Sequence, residues 1–481
     1  VQKSYWHPRA AYFNAMLVDI HGVHKESVPG SGPEGMQLLR LAGFHDFGAP
    51  SIPFDVLVPR PREATGLLVS SAGAYTHQAY AAFPRMETGR IAQGHTCAVA
   101  AYHALRGSVP VHETDVRRVQ ITNLRLNGQS LVYFDDIIPG TYWHLVDQML
   151  GCRRVPERND QGVFQREDRM TAVETRTYLE RLFRDYTEHP APEERLKESL
   201  AALGDDAEAA ITRAQVVHAL SAVADFTLPK EEPAKPFADV EPDSLLARQL
   251  AAWAGRGWIA PDVRHAFRPD DPVPFSEFKR HAYHVLFAGI APETVRPVNY
   301  RPRLAHDTFN RADGPLERLA SGQPVAGTGA WAIVAGNLRP SGVDGTTYLL
   351  VDAGQSDVDV SVDVFLEQTA NQAAAGLVLR ADDERNMQRF LVEAEGPGVK
   401  VRINTLVEGQ FADEISLVRR THRRGFTLRL VARGEELTYF LDGRQVHRQK
   451  RERFLNATRV GLLNGGGEAS RFDNLEVRAA D

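Results

Sequence analysis

The feature that most constrains the fold is a two-residue alternation of apolar and polar side chains after residue 306. A period of two places successive side chains on opposite faces of an extended strand, so that one face is apolar and the other polar. Turn residues separate the segments, and Asp442-Gly443 is typical of a tight hairpin. We therefore predict two antiparallel sheets packed face to face. The predicted strands cover residues 358–365, 375–380, 388–393, 399–403, 426–431, 436–441, 460–463 and 472–477.

Three short motifs make this β-rich region resemble the concanavalin-like jelly roll found in laminin-G-like and sugar-associated modules. They are residues 307–310, the strand around Trp331, and residues 472–474. The resemblance implies an all-β jelly-roll sandwich over residues 305–481. Trp331 is either a residue of the core or a surface for stacking a sugar. The region contains no E-x-D-x-x-E carboxylate pattern of the kind that retaining glycosidases of this fold use.

Residues 138–298 have a helical texture instead, with apolar residues three and four positions apart. Thr171 followed by Glu174 has the spacing of a capping box, and Ser276 is a predicted N-cap with Phe275 before it. This region therefore predicts an all-α domain. The predicted helices cover residues 144–149, 171–186, 194–203, 212–222, 244–256 and 276–287.

A loosely repeated unit runs through the helical region. Its copies lie at residues 163–174, 210–217 and 266–278, and residues 236–240 open the last one. In this order the motifs resemble an S-layer homology array, whose members often anchor to cell-wall polysaccharide. The motif tied to that role is reduced here to residues 211–214. Wall anchoring and a purely structural helical spacer are therefore equal alternatives.

Near the N-terminus, an apolar segment leads through a loop into a helix rich in small residues. The loop carries His77 and Arg85, and the helix starts near Glu87. A strand, a loop and a helix whose free N–H groups face outward can hold an anionic ligand. Small residues along a helix more often indicate tight helix–sheet packing, so the pattern alone favours packing.

Several motifs in this order resemble the C-terminal end of the FAD-dependent oxidoreductase family that includes xanthan-lyase-like proteins. They are residues 67–69, 77–80, 85–87 and 94–101, with further likeness at 18–21, 51–59 and 115–131. The resemblance implies that residues 1–137 form the C-terminal part of an α/β FAD-oxidoreductase domain. The fold class expected for the whole chain is multidomain α+β.

The same resemblance implies a set of site residues. His77 would transfer a proton and Arg85 would bind a carboxylate or a phosphate, so these two are the implied catalytic residues. A structural salt bridge to Glu87 is the alternative role for Arg85. The implied FAD-binding residues are Ser71, Ala72, Glu87, Gly94 and Thr96.

The G-x-G-x-x-G turn that binds the dinucleotide in that family does not occur before Val18. The expected FAD site is therefore incomplete, which predicts an N-terminal FAD-binding half upstream or on a partner chain, or a site that has been lost. The first hypothesis is the C-terminal portion of a secreted or envelope oxidoreductase acting on a carbohydrate-related substrate. The second is a non-catalytic envelope or matrix protein that binds glycans through the helical repeats and the jelly roll.

The composition of the chain gives further information about its binding partners and its location. Basic and acidic residues number 56 and 62, and the net charge of −6 gives no strong field for nucleic acid. No apolar run approaches the roughly 20 residues that span a bilayer. The only cysteines, Cys97 and Cys152, provide neither a disulfide scaffold nor metal-ligand spacing. We expect an extracellular or envelope location, polysaccharide as a partner, no metal, and a short linker at residues 296–302.

Overall fold

The fold is that of a computed structural model, in which a mixed α/β part precedes a large β-sandwich. The structure describes residues 8–13, 51–62, 64–70, 87–126, 129–132, 138–155, 169–224, 228, 236–341, 345–367, 373–395, 398–419, 424–466 and 469–480. Eight α-helices lie within these residues, and none of them is long and apolar enough to cross a membrane.

The N-terminal part joins a two-stranded sheet to two helices. Gln120 fixes the first strand, because its side-chain amide donates to the carbonyl oxygens of Pro8 and Ala10 at 2.8 and 2.9 Å. A small apolar core forms between the sheet and the helices, with Phe54 and Val119 fully buried. The elements are β1 (Ala10–Phe13), β2 (Ser51–Pro53), α1 (Glu87–Gly107) and α2 (Val116–Leu126).

The predicted helical region is helical, and all six predicted helices are confirmed. Thr171 and Glu174 form the predicted capping box, in which each side chain binds the backbone N–H of the other residue. Ser276 is not an N-cap; the helix starts after Pro274 and includes Ser276 in its first turn. The helices are α3 (Tyr142–Gly151), α4 (Ala172–Glu180), α5 (Glu193–Ala201), α6 (Arg213–Val223), α7 (Leu245–Gly255) and α8 (Phe275–Phe287).

One apolar core holds these helices together. Trp253 and Phe278 are among its fully buried members, and Ile121 and Leu124 of α2 belong to the same cluster. The core therefore continues from the N-terminal part into the helical region. Because packing rather than local propensity supplies most helical stability in proteins, this shared core explains why the short helices are stable.

Residues 296–302 were predicted to be a linker, but they belong to the packed structure. Val298 lies in β4 (Val298–Asn299), which pairs in parallel with β3 (Ile259–Ala260). The Tyr300 ring lies edge-on to Phe267, with ring centroids 4.8 Å apart. Two prolines suggested a spacer, whereas the apolar residues between them anchor the segment to the helices.

The region after residue 302 folds into the predicted sandwich of two antiparallel sheets. One sheet has seven strands in the order β15-β14-β13-β12-β19-β10-β7, and the other has nine, in the order β18-β17-β16-β11-β20-β9-β8-β6 with β5 beside β20. The strands are β5 (Arg303–Asp307), β6 (Gly314–Pro315), β7 (Ala326–Thr328), β8 (Ala330–Val334), β9 (Asn337–Ser341), β10 (Thr346–Asp352), β11 (Val358–Leu366), β12 (Ala374–Asp383), β13 (Asn386–Glu395), β14 (Gly398–Val407), β15 (Gln410–Arg419), β16 (Gly425–Arg433), β17 (Glu436–Leu441), β18 (Arg444–Lys450), β19 (Arg459–Gly465) and β20 (Ser470–Ala479).

Apolar side chains from both sheets fill the space between them, including Leu377 and Phe390 from one sheet and Leu428 and Tyr439 from the other. Trp331 belongs to this core: it is 7 % exposed and lies edge-on to Phe472 at 5.5 Å. Of its two predicted roles, the core role is therefore confirmed, and the period-two alternation has correctly located the buried faces.

The predicted hairpin turn at Asp442-Gly443 is also confirmed. Both residues have positive φ angles, 52° and 80°, which favour glycine at the second position. The backbone N–H of Asp442 donates to the Thr427 carbonyl oxygen, and the Asp442 carboxylate accepts from the Thr427 N–H. The turn therefore joins β17 to β18, and its two bonds to Thr427 tie it to the neighbouring strand β16.

The helical region contacts the outer face of the nine-stranded sheet. Arg478 donates from Nη1 to the carbonyl oxygen of Arg301 at 2.7 Å. At Gly425 a Cβ atom would lie 1.8 Å from the Pro139 carbonyl oxygen, so only glycine permits this approach. Part of that outer face is therefore covered by the chain itself.

Candidate functional site

Most of the sequence-predicted cofactor site lies outside the described residues. This holds for His77, Arg85, Ser71 and Ala72. Of the remainder, Glu87 is the first residue of α1, and Gly94 and Thr96 lie within the same helix. The structure therefore does not bring the seven residues together into a described site, and the FAD assignment stays a prediction.

Thr96 has a clear role in packing. Its buried hydroxyl donates to the Ala92 carbonyl oxygen at 2.9 Å and accepts from Asn123 Nδ2 at 3.1 Å. These bonds tie α1 to α2. A Cβ atom added at Gly94 would meet nothing within 4 Å, so no close packing contact requires a glycine at this position.

Cys97, in the same helix, is buried, and burial raises the pKa of its thiol to about 11. A thiol with so high a pKa is protonated near neutral pH and is a poor nucleophile. Cys97 therefore acts as a small apolar side chain of the core. No group of three His, Cys, Asp or Glu side chains suited to a metal ion occurs among the described residues.

The reduced wall-anchoring motif at residues 211–214 contributes its arginine to the interior of the helical region. Arg213 Nε lies 3.0 Å from Glu277 Oε1, and its Nη1 donates to the Phe267 carbonyl oxygen. The guanidinium also lies over the Tyr300 ring at 5.4 Å. These internal contacts favour the spacer alternative over direct polysaccharide anchoring at this residue.

A different constellation lies on the outer face of the seven-stranded sheet. Strand residues that do not point into the sandwich form a second apolar layer there, which includes Tyr348, Val378, Leu391 and Leu463. Solvated sheet faces normally carry polar residues. An apolar layer with a few polar groups set into it is instead typical of a ligand-binding surface.

Arg389 of β13 is the central polar residue of this face and is only 7 % exposed. Its Nε donates to Asn404 Oδ1 at 2.7 Å, and its Nη1 donates to the Tyr348 hydroxyl at 3.0 Å. Register places Arg389 opposite Val378 on β12 and opposite Asn404 on β14. The guanidinium is therefore held by hydrogen bonds to the neighbouring strand β14 and, across β12 and β19, to β10.

Phe411 of β15 completes the constellation from the edge of the sheet. The Arg389 guanidinium lies 5.0 Å from the centroid of the Phe411 ring, within the range of a cation–π contact. Phe411 is 56 % exposed, which is unusual for a large apolar side chain. We refer to Tyr348, Arg389, Asn404 and Phe411 together as the Arg389 cluster.

Charged residues border this cluster on the same face. Arg402 Nε lies 2.8 Å from a carboxylate oxygen of Glu393 and 3.8 Å from one of Glu414. Arg402 lies beside both carboxylates, the three charges sum to −1, and all three side chains are partly exposed. The carboxylates of this border therefore have Arg402 as their neighbouring cation, whereas Arg389 contacts neutral groups.

Sequence reasoning placed Arg389 in a strand but not in a site. Residues 388–393 were predicted only as a strand with a period of two, and an arginine in such a strand marks no site, because arginine is an ordinary residue on a polar face. Only the cross-strand register reveals that Tyr348, far along the chain, lies beside it. Phe411 gave no sequence signal, because residues 410–419 were not among the predicted strands and the exposure of its ring is a tertiary property.

Comparison with known proteins adds fold similarity without a family. No protein-family model matches the chain, and no curated protein matches it. Among solved structures, the carbohydrate binding module CBM66 from Bacillus subtilis is 19% identical, covering 32% of this chain and 95% of its own, with a TM-score of 0.28. The catalytic domain of an endo-1,3-beta-glucanase (laminarinase) from Thermotoga petrophila RKU-1 is 11% identical, covering 38% and 99%, with a TM-score of 0.27.

These likenesses each cover about a third of the chain. At these identities and TM-scores they carry no argument about activity, and function has to be argued from the Arg389 cluster. Neither the FAD-oxidoreductase nor the S-layer resemblance gains support from a matching protein.

Proposed function

We propose that this protein is a non-catalytic glycan-binding protein of the cell envelope or extracellular matrix, and that it binds sugar on the outer face of the seven-stranded sheet. The observation that carries the proposal is the Arg389 cluster, in which fixed hydrogen-bonding groups lie beside an exposed aromatic ring on an apolar floor. Jelly rolls commonly serve lectin functions, which agrees with the proposal as a fold-level analogy.

The chemistry of a sugar fits such a surface. A sugar ring presents an apolar C–H face, which can lie against the exposed Phe411 ring, and a rim of hydroxyls that need directional partners. Arg389 and Asn404 are held in place before any ligand arrives, so binding them costs little side-chain entropy. Rigid polar groups and an exposed ring together support recognition of a carbohydrate.

The acidic residues of the face support a binding role rather than hydrolysis. Glycoside hydrolysis uses two carboxyl groups that flank the bond to be cleaved, one of them acting as an acid. Glu393 and Glu414 instead both lie beside Arg402. A guanidinium that contacts both carboxylates favours their role as a structural ion-pair network.

The test is glycan binding by the full chain, measured on an array of neutral and acidic polysaccharides and then by calorimetry with the best ligand. We expect Phe411→Ala to weaken binding about tenfold or more, since truncating a residue that dominates a binding surface typically costs about 2 kcal/mol or more. Phe440→Ala is the matched control, because Phe440 lies 5.0 Å from an arginine on the other sheet. Absence of binding to every glycan would contradict the proposal.

A further inference from the structure

We propose that the Arg389 cluster recognises an anionic group on the glycan, namely the carboxylate of a uronic acid or a sulfate ester. The inference rests on the proposed glycan-binding function and specifies the class of ligand. Its basis is an arginine that is almost fully buried yet lies beside neutral partners.

The first argument is charge. Burying an ionised group is costly unless an opposite charge accompanies it. Among the described residues, no Asp or Glu oxygen lies within 4.0 Å of the Arg389 guanidinium, and the acidic residues nearby on this face are engaged by Arg402. A ligand anion would supply the missing counter-charge.

The second argument is the balance of donors and acceptors. A guanidinium carries five N–H groups and accepts no hydrogen bonds. Arg389 uses one N–H on Asn404 Oδ1 and one on the Tyr348 hydroxyl oxygen, which occupies the acceptors of both neighbours. The remaining N–H groups of Arg389, mainly on Nη2, donate to no acceptor among the described residues.

Asn404 strengthens this argument independently. Its side chain is 1 % exposed, and its Nδ2 has no hydrogen-bond partner within the described part of the chain. Buried amide groups are almost always satisfied, so an unsatisfied one beside the Arg389 guanidinium points to a missing partner atom. Together the Arg389 Nη2, the Asn404 Nδ2 and the Tyr348 O–H form a set of donors, which selects a ligand rich in acceptors.

An oxyanion matches this set. A carboxylate or a sulfate offers only acceptors, and its charge-assisted bonds to arginine are about twice as strong as neutral ones. A neutral sugar hydroxyl would satisfy one donor but leave the buried guanidinium without a counter-charge. The exposed ring of Phe411, on the other side of the guanidinium, would then contact the sugar that carries the anion.

The probes are polygalacturonate and κ-carrageenan, tested with the full chain at low and physiological salt. Their controls are the carboxyl-reduced and desulfated polymers, which separate the carboxylate from the sulfate. A uronate site predicts binding of polygalacturonate and at least tenfold weaker binding after reduction, and a sulfate site predicts the same for carrageenan and its desulfated form.

Two variants test the residue assignment. Asn404→Asp gives Arg389 an internal carboxylate at the position of Oδ1 and should weaken binding of the anionic glycan at least tenfold while the protein stays folded. Arg389→Gln should have a similar effect, and Arg402→Gln, which changes an already paired arginine on the same face, should change affinity less than threefold.

The outcomes separate this inference from the proposed function. Tighter binding of a neutral glycan than of either anionic polymer, with loss of that binding in Phe411→Ala, would overturn the anion site and leave glycan binding intact. Unchanged anionic binding in Asn404→Asp would also overturn it. Binding to no glycan at all would overturn both.

Discussion

Each sheet of the sandwich carries an arginine beside a phenylalanine ring, but the hydrogen-bond partners of the two arginines differ in charge. On the seven-stranded sheet, the Arg389 guanidinium lies 5.0 Å from the Phe411 ring centroid; on the nine-stranded sheet, Arg429 lies 5.0 Å from that of Phe440. Arg429 donates twice to the Asp359 carboxylate, at 2.7 and 2.6 Å. Arg389 donates to an amide and a phenol instead.

Register explains the difference. Arg429 lies opposite Ser361 on β11, so Asp359 is its diagonal neighbour on the same face. Arg389 lies opposite Val378 and Asn404, neither of which carries charge. The comparison teaches that a carboxylate on the neighbouring strand can pair with an arginine of a sheet and give it a structural role. Where the neighbouring residues are neutral, the arginine has no counter-charge within the sheet.

The helical region contains a fully buried ion pair, between Lys279 and Asp147. Removing one partner leaves an uncompensated buried charge, so Lys279→Met should lower the free energy of unfolding by about 3–5 kcal/mol. Urea unfolding followed by far-UV circular dichroism measures this. The double variant Lys279→Met with Asp147→Leu should recover most of the loss, and failure to recover would contradict the ion-pair explanation.

The Glu277 carboxylate, buried beside His281 and Arg213, makes stability depend on pH. Burial alone would raise the pKa of Glu277, but the neighbouring His281 and Arg213 outweigh it and lower that pKa to about 2, from its ordinary value of 4.5. The stabilisation is fully present above pH 4.5 and is lost as the pH falls toward 2. The loss amounts to about 3 kcal/mol.

Thermal unfolding between pH 6 and pH 2 checks this dependence. The variant Glu277→Gln should start less stable at pH 6 and should lose less stability than the wild type as the pH falls through this range. A wild-type curve that stays flat between pH 4.5 and pH 2 would show that Glu277 is not held ionised in the folded state.

Removing the carboxylate that pairs with Arg429 on the nine-stranded sheet should lower the free energy of unfolding by a smaller amount. Asp359→Asn removes the carboxylate from Arg429, which is itself partly exposed, so we expect a loss of about 1–2 kcal/mol. Chemical denaturation measures the loss, and glycan affinity should stay unchanged because this face is not the proposed binding surface. A change in glycan affinity would contradict the distinction between the two faces.

Placing a carboxylate beside Arg389 should have the smallest effect on stability. Asn404→Asp places a carboxylate where Asn404 Oδ1 accepts from Arg389, and we expect the free energy of unfolding to rise by about 1 kcal/mol or less. Differential scanning calorimetry at pH 7 measures the shift. A clear destabilisation would mean that repulsion from Glu414, which lies directly opposite position 404 on β15, outweighs attraction to Arg389.

Much of this architecture could be predicted from the sequence, because periodicity reports which face of an element is buried. The alternation in residues 388–393 and 436–441 located two strands, and the capping box at Thr171 located a helix start. Ser276 was misassigned as an N-cap because Pro274, two residues earlier, already ends the preceding loop. Local signals decide element type better than element ends.

The candidate site was not predictable in the same way. Tyr348 and Arg389 meet only because β10 and β13 lie in one sheet with β12 and β19 between them, and strand order is a tertiary property. The residues implied by family resemblance followed a motif instead. Of these, Thr96 lies in a helix–helix contact, and His77 and Arg85 lie outside the described residues.

The most direct test of glycan binding by the open face is calorimetric titration of the full chain with its best glycan, comparing Phe411→Ala with Phe440→Ala. The two variants remove equivalent rings, each 5.0 Å from an arginine, from opposite sheets. We predict at least tenfold weaker binding for Phe411→Ala and wild-type affinity for Phe440→Ala. Equal affinities for the two variants, or a loss confined to Phe440→Ala, would contradict the assignment of the binding face.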